Sequence, residues 1–82
     1  MDNNVTRERL ESVINEVFYT QNGKTTICVI TTKTGFQVVG TSSCVDSSKF
    51  NKELGQNYSF KAAMDKLEEL ETYRLSWELH NE

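Results

Sequence analysis

The sequence predicts an α+β fold: a helix near the N-terminus, an antiparallel β-hairpin, with a third short strand as an option, and a long C-terminal helical segment. Three observations predict it. Apolar residues recur at helical spacing from Leu10 to Phe18, β-branched residues dominate Thr25 to Thr41, and helical spacing returns from Phe50 to Leu79. With 82 residues the whole chain, 1–82, reads as one small domain whose core is modest, which makes assembly into oligomers a standing expectation.

In the first segment Leu10, Val13, Ile14, Val17 and Phe18 form an i, i+3, i+4, i+7, i+8 stripe, with Glu8, Glu11, Ser12, Asn15 and Glu16 elsewhere on the cylinder. Thr6 is the expected N-cap. Val5 before it and Leu10 four residues after it have the spacing of a hydrophobic staple. Asn22-Gly23 is expected to end this helix, because both residues tolerate positive φ.

The period then changes. TTICVITT, Thr25 to Thr32, and FQVVGT, Phe36 to Thr41, flank Lys33-Thr34-Gly35 and read as a hairpin. Ile27 and Val29 face one side and Cys28 and Ile30 the other, so both faces are apolar and both call for cover. A two-stranded sheet is marginal alone, so a third strand, a wrapping helix or a partner subunit is expected, with residues 42–46 either extending the second strand or forming the extra one. Asp46, Ser47 and Ser48 offer N-caps for a helical segment over 48–79, with interruptions expected near Gly55 and Thr72. Phe36 and Phe50 are expected in the core.

Composition excludes several classes of function. The chain is 37% apolar and 26% charged, as a folded globular domain is. No apolar run is long enough for a membrane span, and no signal-peptide pattern precedes the first helix, so the expected location is a cytosol, where Cys28 and Cys44 stay reduced. Residues 1–64 hold six acids and seven bases, whereas residues 65–82 hold six acids and two bases. The net charge of −3 therefore sits in the C-terminal segment. No Lys/Arg cluster is interleaved with aromatic residues, which argues against nucleic-acid binding.

Catalytic sets are missing from the pattern. Cys44, in a loop before a helix, has the position of an activated thiol, but the imidazole that Cys–His chemistry needs exists only at His80, near the end of the chain. Packing is the better account of this cysteine. Ser42 and Ser43 beside Gly40 fail the G-x-S-x-G pattern because Cys44 stands where glycine is required, and Lys33-Thr34-Gly35 lacks the companions that a K-T-G triplet has in penicillin-recognising enzymes. Two cysteines sixteen apart do not make a zinc set. No catalytic residue, metal or cofactor is expected.

Two groups of residues remain as binding candidates. Asp65, Glu68, Glu69 and Glu71 form an acidic run that is either a solvated helix face or a surface for a basic partner, and Tyr73 and Trp77 are either anchors for that partner or the last pieces of a small core. Gly40, Ser42, Ser43 and Cys44 form a candidate ligand loop.

The order of residues from Thr26 to Gly55, TICVITTKTGFQVVGTSSCVDSSKFNKELG, followed by KAAMDKL and LETYRL, resembles the gene-49/gene-66 product family of tailed bacteriophages. Members of that family read T-x-C-V-L-T-x-x-N-G-F-x-V-x-G-x-S-A-C-x-x-x-x-N-F-x-x-E-x-G. Thr26, Cys28, Val29, Thr31, Gly35, Phe36, Val38, Gly40, Ser42, Cys44, Phe50, Glu53 and Gly55 match, and the resemblance spans roughly residues 25–75. Thr34 stands where the family often has Asn, Ser43 where Ala is usual, and Asn51 where an acid is common. Glu68-Glu69 and Thr72 replace helix-breaking residues, so a more continuous C-terminal helix is expected. The resemblance implies a phage or prophage origin and a place in the host cytoplasm, and it carries no general activity and no catalytic residues.

Together these readings favour a non-enzymatic phage accessory protein that binds and inhibits or redirects a host protein, with antiviral defence components among the targets. The alternative is an oligomer that sequesters a small ligand such as a nucleotide signal. A homodimer that covers the spare hairpin face is expected in either case.

Overall fold

The computed structural model describes residues 5–45, 47–49 and 51–80. The elements run α1 (Arg7–Ser12), β1 (Ile14–Asn22), β2 (Thr25–Thr32), β3 (Gln37–Ser43), a 3-10 turn (Ser47–Lys49) and α2 (Lys52–His80). The strands form one antiparallel sheet in the order β1-β2-β3. α2 crosses β3 and β2 on one face, and α1 packs beside α2.

The α+β class and the long C-terminal helix are as the sequence predicts, but the first helix is much shorter. Thr6 caps it as expected, its Oγ1 accepting from Arg9 N at 3.1 Å, and Val5 and Leu10 both pack on the core. The helix then stops at Ser12, and the segment expected to continue it is β1. Val13, Ile14, Val17, Phe18, Tyr19 and Thr20 are β-branched or aromatic, types that lose rotamer freedom in a helix and suit a pleated strand. Pairing decides the matter, because β1 is the third strand that the hairpin lacks. That strand is thus not built from residues 42–46, of which Ser42 and Ser43 extend the second hairpin strand instead, and Asn22-Gly23 is the β1–β2 turn rather than a helix end. Gly23 there has φ 59°.

Even-numbered residues of β2 point at α2. Cys28 and Ile30, with Val38 from β3, Leu10 from α1 and Ala63, Met64 and Leu67 from α2, make the core. Gly40 is buried in the middle of β3, where a Cβ would overlap Ala63 N and Ser59 O of α2. The absence of a side chain lets the helix lie directly on the strand, with Ser59 and Ala63, both fully buried, as its own small contacts.

α2 is continuous over 29 residues, about 43 Å at the usual rise, so neither Gly55 nor Thr72 interrupts it. Asn51 Oδ1 accepts from Leu54 N at 3.1 Å and does the capping that the sequence assigns to Asp46, Ser47 or Ser48. Asp46 and Phe50 lie outside the described residues. Phe36, expected in the core, is 58% exposed, because the β2–β3 connection carries it past the end of the sheet. The odd-numbered residues of β2, Thr25 to Thr31, are only half-buried. They are shielded by cross-strand neighbours such as Phe18 and Val39, which flank Val29, and no described element lies over them.

Candidate functional site

The predicted partner-binding residues all fall on α2, and the helix sorts them into two faces. Asp65, Glu68, Glu69, Thr72, Tyr73 and Ser76 line one continuous strip of surface. Tyr73, Ser76, Trp77 and His80 extend it to the end of the helix. Beyond Glu71 no described residue of α2 is buried, so the distal two turns project past the core. Tyr73 and Trp77 are 62 and 52% exposed, which places them outside the core that was one of their two predicted fates, and Leu70 beside them is 44% exposed. Trp77 makes edge-on contacts with Tyr73 at 6.4 Å and His80 at 5.9 Å between ring centroids. These contacts pre-order a row of rings at i, i+4 and i+7 on one helix.

Glu71 does not belong to this strip. It is buried and accepts two hydrogen bonds from Arg74, Nε to Oε2 at 3.0 Å and Nη2 to Oε1 at 2.8 Å. Arg9 of α1 approaches the same carboxylate at 4.0 Å and Glu78 at 3.4 Å. Hydrogen bonds from Arg74 to Glu71, together with the charge of that carboxylate, push the guanidinium pKa up. The group holds α1 against α2, a structural use of a carboxylate whose spacing alone could not separate it from Glu68 and Glu69.

The candidate ligand loop is also divided. Gly40 is taken up by its contact with α2, whereas Ser42, Ser43 and Cys44 line a recess of about 200 Å³ with Lys24, Lys49, Asn51, Leu54, Gly55 and Tyr58. The recess lies where the end of β3 meets the first turns of α2, so amide dipoles and two lysines give it positive character. Thr25 and Ser43 share a hydroxyl hydrogen bond of 2.6 Å across its rim, and Lys24 Nζ donates to Val45 O at 3.1 Å. Lys24, Lys49 and Tyr58 are the residues that sequence spacing missed. They come from three separate segments, and nothing in their local pattern signals that they meet.

Among the described residues Cys44 and His80, the one thiol–imidazole pair considered from the sequence, are not brought together. Cys44, half-buried, is bonded through its N–H to Lys24 O at 3.0 Å and sits near the start of α2, while His80 closes the far end, about 40 Å away at 1.5 Å per helical residue. Cys28 is fully buried beneath α2, and burial raises its thiol pKa, partly offset by its hydrogen bond with Tyr19. Among the described residues no group of three or more His, Cys, Asp or Glu is placed to hold a metal ion, and no helix is long and apolar enough to cross a membrane.

The scaffold is thus a three-stranded sheet backed by one long helix, with its distinctive chemistry displayed on surfaces. A family model, that of the phage protein (N4 Gp49/phage Sf6 gene 66) family, matches residues 5–79. The chain belongs to this bacteriophage protein family. No curated protein and no solved structure matched it.

Proposed function

We propose that this phage protein works by binding rather than by catalysis, engaging a host protein through the distal face of α2 and so inhibiting or redirecting it. The observation that carries the reading is the exposed row Leu70, Tyr73, Trp77 beside Asp65, Glu68 and Glu69. Large aromatic side chains anchor protein interfaces, and charges along their rim select the partner. The fitting partner is a protein with an apolar groove bordered by Lys and Arg. For a phage, a component of host antiviral defence is a target whose blockade by stoichiometric binding needs no enzyme.

The test is capture from host lysate with the wild type, with Trp77→Ala and with Asp65, Glu68 and Glu69 all changed to Lys. One protein held by the wild type, and lost with both variants while their circular dichroism stays unchanged, supports the reading. No captured protein, or one that both variants retain, refutes it.

A second reading is favoured by the recess of Lys24, Ser42, Ser43, Lys49 and Tyr58 at the start of α2. Two ammonium groups, hydroxyls and an aromatic ring suit a small anionic ligand such as a nucleotide signal. Thermal-shift screening of cyclic and linear nucleotides addresses it, with a shift that Lys49→Glu abolishes as the expected result. Absence of any shift rejects this reading alone.

A further inference from the structure

The sheet ends in two unlike edges. Thr32 N–H donates to Phe36 O, and Cys44 N–H to Lys24 O, so in the β2–β3 register the even-numbered residues of β2 are those bonded to β3. Its odd-numbered residues then bond to β1, where their partners are Glu16, Phe18, Thr20 and Asn22. By the same alternation Val39 turns its C=O outward from β3, and Lys66 Nζ of α2 donates to that oxygen at 2.6 Å. A lysine at the rim is one of the devices that blunt an edge strand.

β1 has no such protection. The outward groups there are the N–H and C=O of Val17, Tyr19 and Gln21, and among the described residues none of them has a hydrogen-bond partner. The strand is nine residues long with Glu16 as its sole charge. Because α2 crosses β3 and β2, β1 exposes apolar surface on both faces, with Val17 36% and Phe18 56% exposed. A long free edge of this kind is a template for another strand.

We propose that β1 pairs with β1 of a second copy, antiparallel about a twofold axis at Phe18, to give one sheet continuous across both copies. The register is self-complementary. Val17 meets Tyr19 of the second copy in a hydrogen-bonded pair, and Phe18 meets Phe18 in the closer non-hydrogen-bonded pair. Glu16 faces Thr20, so no like charges oppose each other. Moving the axis to Val17 sets Phe18 against Glu16, and moving it to Tyr19 parts the two phenylalanines. A foreign strand would satisfy the same backbone groups, but only the second copy supplies the reciprocal aromatic and charge pattern. A strand-sized contact falls below the ~800 Å² per partner of a standard interface, so association belongs in the micromolar range. This inference does not depend on the α2 surface proposed for the host partner.

Sedimentation velocity from micromolar to near-millimolar protein tests it. The wild type is expected to shift from monomer to dimer. Phe18→Lys, which juxtaposes two ammonium groups on the axis, and Val17→Pro, which removes an outward N–H and spares the β1–β2 ladder, are expected to remain monomeric with unchanged circular dichroism. Phe18→Cys in a Cys44→Ser background should form a disulfide-linked dimer under mild oxidation, which reads the register in the folded protein. A wild type that stays monomeric throughout overturns the proposal. So does a dimer that ignores Phe18→Lys and gives no crosslink with Phe18→Cys.

Discussion

Replacing Gly40 by alanine adds one methyl group where the chain has least room for it. The new carbon would overlap Ala63 N and Ser59 O, and both are backbone atoms of a helix, so no rotamer change relieves the clash. α2 must lift from β3 by about 1 Å, loosening Ala63, Met64 and Leu67 against Cys28, Ile30 and Val38 together. Overpacking that side chains can absorb costs ~1–3 kcal/mol, and a helix displaced as a body belongs at or above the top of that range, at ~3–5 kcal/mol. A domain of this size holds only ~4–12 kcal/mol in all. At ~4–8 °C per kcal/mol, the midpoint of thermal unfolding followed by circular dichroism should fall by roughly 12–40 °C, with the urea midpoint falling in parallel. The control is Gly23→Ala in the β1–β2 turn, where φ is 59° and nothing lies within 4 Å of the added carbon. There the cost is conformational, ~1–2 kcal/mol, and Gly23→Asn should recover most of it because Asn tolerates that region. A Gly40→Ala protein that melts within about 5 °C of the wild type, some 1 kcal/mol, would refute the close-approach account.

Other outcomes can be measured in the same preparations. Glu71→Ala should cost ~1–2 kcal/mol, discounted because Arg74 is half exposed. A double-mutant cycle with Arg9→Ala by urea denaturation should show coupling, since the carboxylate joins α1 to α2. Native alkylation with iodoacetamide, read by mass spectrometry, should modify Cys44 and spare Cys28 until the protein unfolds. Burial raises the pKa of Cys28 and of Tyr19, so their folded forms hold protons that the unfolded chain has released. Stability should therefore be full below their unfolded pKa values and decline as pH rises through the alkaline range. Cys28→Ala should flatten part of that decline.

The hairpin, its turn and the long helix were legible because each is dictated locally: β-branched alternation from Thr25 to Thr32, Gly35 at the positive-φ position between the two strands, and apolar spacing from Phe60 to Leu67. β1 was not, because a strand with Val17 and Tyr19 on one face and Phe18 on the other can also be drawn as a helical stripe with Val17 and Phe18 side by side. What separates the readings is a non-local fact, the need of β2 for a second neighbour. The same limit governs the surfaces. Tyr73 and Trp77 had two predicted fates, and only the length by which α2 outruns the sheet assigns them to the outside. Glu71 was grouped with Glu68 and Glu69 by spacing, and only the position of α1, with Arg9 on it, sets it apart.

The offset of α2 links these observations. A helix centred on the sheet would cover β1 and leave both edges alike. This one lies over β3 and β2, drawn there by the bare backbone of Gly40, which admits Ser59 and Ala63. That placement brings Lys66 to the β3 edge and withholds cover from Val17 at the other. It also brings Asn51 and Tyr58 against the end of β3, creating the lysine-lined recess. One glycine in β3 therefore sets which edge stays free to pair, and a variant that moves α2, such as Gly40→Ala, should alter self-association as well as stability. If its residual folded population sediments as the wild type does at equal folded concentration, the coupling between helix placement and edge exposure is wrong, whatever becomes of the melting temperature.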